Sequence, residues 1–181
     1  IRELPEAFTA QAMITTDRDN NQITAFHPGA MGESHLNTVA EVINHREKKQ
    51  LELPKIAIVA PDGRQGMVEH CQQLADAKIP FIFDPGQGLP MFSGEELTHF
   101  IELATYVAVN DYEAELLTER TGLSLEQIAE RVSALIVTRG EQGAEIYTSN
   151  ERFDIPVVGV DQVVDPTGCG DAFRAGMLYG L

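Results

Sequence analysis

Short apolar runs alternate with amphipathic helical stretches through the middle of this 181-residue chain, and that alternation restricts the fold more than any other feature. The runs at 55–60 (Lys-Ile-Ala-Ile-Val-Ala), 80–84 (Pro-Phe-Ile-Phe-Asp), 106–110 (Tyr-Val-Ala-Val-Asn) and 134–138 (Ala-Leu-Ile-Val-Thr) have strand length, and the first reads as a strand buried on both faces. Between them the apolar period lengthens to that of a helix. The stretch 36–50 carries a stripe at Leu36, Val39, Ala40 and Ile43, and 65–78 turns Met67, Cys71, Leu74 and Ala75 to one side. Ser93 and Glu96 have the spacing of a capping box for a helix over 93–104, and helices follow over 112–120 and 124–133. Strands that alternate with helices make βαβ units, so the chain predicts an α/β fold: a mostly parallel sheet flanked by helices on both faces.

Two pairs of runs depart from that rhythm. Residues 11–26 read as a hairpin about Asp17–Asn21, whose Asp and Asn side chains tolerate left-handed turn conformations, and His27-Pro28-Gly29 ends it. Residues 145–147 and 153–158 read as antiparallel strands about Ser149-Asn150. In a parallel sheet ligands bind beyond the carboxyl ends of the strands. The loops there are all polar or glycine-rich: Asp62-Gly63, Asp84-Pro85-Gly86, Asn110-Asp111-Tyr112-Glu113 and Arg139-Gly140-Glu141-Gln142-Gly143.

Charge and composition remove several classes of function. Asp and Glu number 28 against 13 Lys and Arg, a net charge of −15, and no basic stripe offsets it, so a nucleic-acid partner is not expected. The longest apolar run, 56–61, falls far short of the roughly 18 residues of a membrane span. The acidic, interrupted opening is unlike a signal peptide. Two cysteines, Cys71 and Cys169, make neither a disulfide framework nor a thiolate zinc site, which fits a reducing, cytoplasmic compartment. The sequence begins at Ile1 without Met and closes at Gly180-Leu181 inside a helical pattern, so 1–181 reads as a single domain taken from a longer chain.

The chemistry concentrates in Asp165-Pro166-Thr167-Gly168-Cys169-Gly170-Asp171, which runs into an apolar helix expected to be buried. Ala172, Gly176 and Gly180 recur every four residues along it, a small-residue face suited to close contact with a neighbour. Free N–H groups and the helix dipole make the start of such a helix an anion site, and glycine lets a phosphate approach the backbone. Asp171, in the first turn, has two readings: a carboxylate that stabilises the helix start by about 0.3–1 kcal/mol, or a general base beside an anion hole. No P-loop lysine, third dinucleotide-fingerprint glycine, metalloprotease His pair or nucleophile elbow is present.

The 165–171 segment resembles the second signature of the PfkB (ribokinase-like) family of sugar and nucleoside kinases, usually Asp-Thr-x-Gly-Ala-Gly-Asp. Asn110-x-x-Glu113 and Thr138-x-Gly140-x-x-Gly143 follow the family's order, and the resemblance covers essentially the whole chain. It implies a ribokinase-like fold in which Asp171 is the catalytic base and the amides of Gly168, Cys169 and Gly170 form the anion hole. Asn110 and Glu113 would organise Mg²⁺ and the ATP phosphates through water, Thr138, Gly140 and Gly143 would lie along the nucleotide, and Asp165 and Thr167 match positions that hold a monovalent cation such as K⁺ in some members. Plainer roles stand beside these. Asn110 fits a turn residue, Glu113 a solvated first-turn acid, and the Thr138 motif an ordinary strand–turn–strand connection.

Cys169 stands where the family has Ala, and reads as packing more than as an oxidisable thiol. Pro166 replaces a Thr. The family's N-terminal glycine pair and first signature, and its C-terminal stretch over the adenine, are absent from these residues. Segments 10–16, 22–31 and 83–87 look most like the adenosine and nucleoside kinase branch. That implies ATP- and Mg²⁺-dependent transfer to the 5′-hydroxyl of a nucleoside, with hairpin 10–28 as part of a lid that also offers a homodimer contact. A simple-sugar kinase (ribokinase- or fructokinase-like) and a non-catalytic nucleotide-binding fragment are the alternatives.

Overall fold

The computed structural model describes residues 2–17, 22–160 and 167–181. Strands β1 (Gln11–Thr16) and β2 (Gln22–His27) pair antiparallel from Gln11↔His27 to Thr16↔Gln22, as the hairpin reading requires. The expected turn residues 18–21 lie outside the described residues. A second sheet has six strands in chain order: β3 (Ala57–Val59), β4 (Phe81–Phe83), β5 (Tyr106–Asn110), β6 (Ala134–Thr138), β7 (Ala144–Tyr147) and β8 (Arg152–Ile155). β3 to β6 pair parallel, and β7 pairs antiparallel with both β6 and β8.

The helices are α1 (Val39–Lys48), α2 (Arg64–Asp76), α3 (Gly94–Leu103), α4 (Asp111–Thr121), α5 (Leu125–Ala129) and α6 (Cys169–Gly180). Each parallel strand is added on the same side of its predecessor, and right-handed crossovers then carry every connecting helix to the same face. The core follows that rule. Phe81, Phe83, Val107, Val109, Leu135 and Val137 turn to one face and meet Met67 and Leu74 of α2, Leu97, Phe100 and Ile101 of α3, Leu117 of α4 and Ile128 of α5. Phe100 stacks on Phe83 and Phe92 with ring centroids 5.4 and 5.2 Å apart, worth about 0.5–1.5 kcal/mol per pair beyond the area buried.

The alternate residues Ile82, Ala108 and Ile136 point to the opposite face, where α6 covers them with Phe173, Met177 and Leu178. Among the described residues helices therefore occupy both faces, but unequally: five on one and α6 alone on the other. This corrects the expectation of a buried last helix. None of its residues is buried, and Ala172, Gly176 and Gly180 are exposed, with no described atom where a side chain at Gly176 or Gly180 would stand. With no second layer above it among the described residues, α6 buries a single stripe.

Other differences have local causes. Strand β3 is the sheet edge, so Ile58 is half-buried rather than covered on both sides. Thr38 caps α1, its side chain taking the Glu41 N–H, and starts that helix three residues later than the apolar stripe suggested. Gly29–Leu36 and Gly86–Met91 form 3₁₀ turns after Pro28 and Pro85, too short for a hydrophobic period to announce. The capping box of Ser93 and Glu96 is present as read.

Candidate functional site

Strands β5 and β6 end side by side, Asn110 opposite Thr138. Asn110 caps α4: its Oδ1 accepts the Glu113 N–H at 2.7 Å, and Glu113 Oε2 accepts the Asn110 N–H at 2.9 Å. The sequence motif is thus first of all a capping box. Glu113 is not a solvated acid: half-burial pushes its carboxyl upward and Asp111 adds to that, while the Asn110 N–H opposes it. Its other oxygen, Oε1, has no protein partner among the described residues. Free carboxylate oxygen of this kind suits a hydrated Mg²⁺ held through water. No group of three or more His, Cys, Asp or Glu among the described residues is placed to hold a metal directly.

After Thr138 the backbone turns through Gly140 (φ +54°) and Gly143 (φ +87°). Arg139 N–H bonds the Gly143 carbonyl at 2.8 Å and Gly143 N–H the Gly140 carbonyl at 3.1 Å, so the segment is a strand–turn–strand connection. Gly140 borders open space, whereas a Cβ on Gly143 would lie 2.0 Å from the Ile155 carbonyl oxygen. The turn is braced by a network the sequence did not disclose. Buried Glu145 pairs with Arg139 and with Arg152 at 2.7 Å, and accepts the Tyr147 hydroxyl, which together with both guanidiniums holds its carboxyl below the usual range.

Helix α6 opens on Gly168, whose φ of +81° makes the left-handed cap. Cys169, Gly170 and Asp171 form its first turn, all exposed, and Ala172 N–H closes the first backbone bond, to Gly168 O at 2.9 Å. The N–H groups of Cys169, Gly170 and Asp171 have no acceptor among the described residues, as the first turn of any helix requires. The Asp171 carboxylate makes no hydrogen bond or ion pair with them either. Among the described residues it is locked in no structural pairing. The exposure of Cys169 corrects its reading as a packing residue. Thr167 Oγ1 accepts the Gln22 side-chain N–H at 2.9 Å, joining the hairpin to this turn. Asp165 and Pro166 lie outside the described residues.

A cavity of about 840 Å³ lies beneath the hairpin. Ala12, Ile14, Thr24 and Phe26 form its roof, while Asp62 from the loop after β3, Arg64 at the start of α2 and Gln87 from the 3₁₀ turn after β4 face them. Among the residues singled out from the sequence, Asn110, Glu113, Thr138, Gly140, Gly143 and the 168–171 turn do not line it. Of the cavity's polar side chains, Asp62 and Gln87 fall in segments the sequence singled out, whereas Arg64 does not, and nothing in the sequence joins the three because they belong to different segments. A second pairing also went unread. Arg174 grips Asp84 at the end of β4, Nε to Oδ2 and Nη2 to Oδ1 at 2.9 Å, and Asp84 is wholly buried. The signal was available: an aspartate closing an apolar strand, and the one basic residue of an apolar helix.

The pfkB family carbohydrate kinase profile matches residues 1–181. A nucleoside kinase of Methanocaldococcus jannaschii is 36% identical over 179 residues, covering 96% of this chain and 54% of its own. The nucleoside kinase of Burkholderia thailandensis, solved in complex with inosine, is 60% identical with a TM-score of 0.89, covering 98% of this chain and 55% of its own. Its complex with ADP-inosine superposes with a TM-score of 0.87 at 60% identity, covering 98% and 53%. The chain spans about half the length of the curated relatives it matches. The fold of these relatives is the ribokinase-like one. Among the described residues, no helix is long and apolar enough to cross a membrane.

Proposed function

The chain belongs to the pfkB family of carbohydrate kinases, and from that premise we propose that it carries the transfer site of an ATP-dependent nucleoside kinase. The observation that carries the reading is the Asp171 carboxylate, without a partner among the described residues, beside the backbone N–H groups of Cys169, Gly170 and Asp171, which have no acceptor there either. Asp171 takes the proton of a substrate hydroxyl; the oxygen attacks the γ-phosphorus of ATP; the bond to the β-phosphate oxygen breaks and ADP leaves. Charge on the moving phosphoryl oxygens meets the amides of Gly168, Cys169 and Gly170 and the positive end of α6. Mg²⁺, when bound, neutralises the ATP phosphates, with Glu113 and Asn110 holding its water shell.

The acceptor is the 5′-hydroxyl of a nucleoside. Relatives at 36% and 60% identity are nucleoside kinases, and the hairpin cavity offers apolar cover for a base with Asp62, Arg64 and Gln87 for polar groups. The hairpin serves as lid, tied to the transfer turn by Gln22 and Thr167. Its outward face leaves Met13 and Ile23 exposed, a surface for a second copy. K⁺ at Asp165 and Thr167 and a cytoplasmic location complete the reading.

The decisive test is Asp171→Asn in the full-length protein: ATP binding is retained and phosphoryl transfer falls by about 10²–10⁴-fold. Turnover near the parental rate removes Asp171 as base. A panel of adenosine, inosine, ribose and fructose fixes the acceptor; turnover on the sugars alone moves the assignment to a simple-sugar kinase.

A further inference from the structure

The contacts that hold α6 on the sheet are of two kinds. Phe173, Met177 and Leu178 make apolar contacts, which have no preferred direction and permit sliding and rotation. Arg174 makes a directional one. Its Nε and Nη2 bond both oxygens of Asp84, a planar fork that fixes distance and angle together. Asp84 is fully buried and the Arg174 side chain only 26% exposed, so water competes little for the pair.

The third guanidinium nitrogen, Nη1, lies against the turn itself. A Cβ on Gly170 would stand 2.6 Å from it, so the glycine makes room for the guanidinium one helical turn away. Asp84 also begins the loop that brings Gln87 to the hairpin cavity. One ion pair thus joins the cavity side of the site to the turn that opens α6.

We propose that Arg174 is a positioning residue for phosphoryl transfer: its fork on Asp84 sets the Gly168–Asp171 turn against the end of β4, so that the base and the anion hole stand in register with a substrate held under the hairpin. This rests on the kinase reading above and adds to it a residue that touches neither ATP nor acceptor. A turn displaced by about 1 Å binds its ligands yet transfers slowly, a loss of about 10²-fold in rate.

The experiment uses the full-length protein and two readouts. In Arg174→Met, kcat falls about 10²-fold while KM for the nucleoside and Kd for ATP stay within threefold. Arg174→Lys keeps the charge without the fork and does not restore kcat. The double variant Asp84→Leu/Arg174→Met replaces the buried pair by apolar groups, which keeps the protein folded, and remains slow. Independently of activity, hydrogen exchange of the bonded α6 amides that follow the turn, from Ala172 onward, rises about tenfold in Arg174→Met and in the double variant. Parental kcat in a folded Arg174→Met, recovery by Arg174→Lys, a loss carried by KM alone, or unchanged exchange each overturns the proposal. A parent that transfers phosphate to no nucleoside or sugar overturns the kinase reading, while the exchange result still decides whether Arg174 positions the turn.

Discussion

Two glycines of one motif make opposite demands on the backbone, and substituting each separates their roles. Gly143 sits at φ +87°, ψ −132°, a region an L-residue enters at a cost of about 1–3 kcal/mol. An alanine Cβ there would also stand 2.0 Å from Ile155 O and 2.9 Å from Val157 N, both backbone atoms, so the end of β8 must move at a further cost of about 1–3 kcal/mol. Gly140, at φ +54° with open space beside it, costs about 1–2 kcal/mol on substitution by alanine, for the left-handed conformation alone. With a urea m-value of about 2 kcal/mol/M, Gly143→Ala lowers the unfolding midpoint by about 2 M and Gly140→Ala by about 0.5–1 M. The assay is equilibrium urea unfolding followed by circular dichroism, with ATP affinity measured on the folded variants. Midpoints within 0.3 M of each other would refute the argument that Gly143 is held against the end of β8 and Gly140 is not.

Further expectations concern titration and reactivity. Burial raises the Glu113 carboxyl, so its charge opposes folding above the unfolded pKa of about 4.3, and its favourable contribution exists only below that value. Glu113→Gln, which keeps the capping geometry, therefore raises Tm at pH 7 with a gain that shrinks as pH falls toward 4, while transfer activity drops; an equal or larger gain at pH 4 contradicts the sign. Burial pushes the Cys71 thiol to about 12, whereas Cys169 is exposed, so a maleimide labels one thiol per folded chain, at position 169, and two only in denaturant. Two labels on the folded chain would show that α2 is not packed as described. Tyr147→Phe removes a hydroxyl that holds the buried Glu145 carboxyl low, so stability present above the carboxylate pKa is lost, and thermal unfolding at pH 7 falls by about 1–2 kcal/mol; an unchanged Tm denies the network its part in bracing the Thr138–Gly143 turn.

Much of this protein was determined by local pattern. The parallel strands at 106–110 and 134–138, the hairpin, the box of Ser93 with Glu96 and the turn opening on Gly168 depend on neighbours a few residues apart, and period, cap and turn chemistry are written at that range. The same local range is why Asn110 and Glu113 stand out together: their spacing is that of a capping box as much as of a cation site. What only the tertiary structure decided concerns residues far apart in the chain. The burial of one stripe of α6 instead of its whole surface, the joining of Gln22 to Thr167, the grouping of Asp62, Arg64 and Gln87 beneath β1 and β2, and the fork of Arg174 on Asp84, 90 residues earlier, depend on the order in which strands join the sheet. Hydrophobic periodicity tells each element which face to bury, but not which distant loop it will meet when it does.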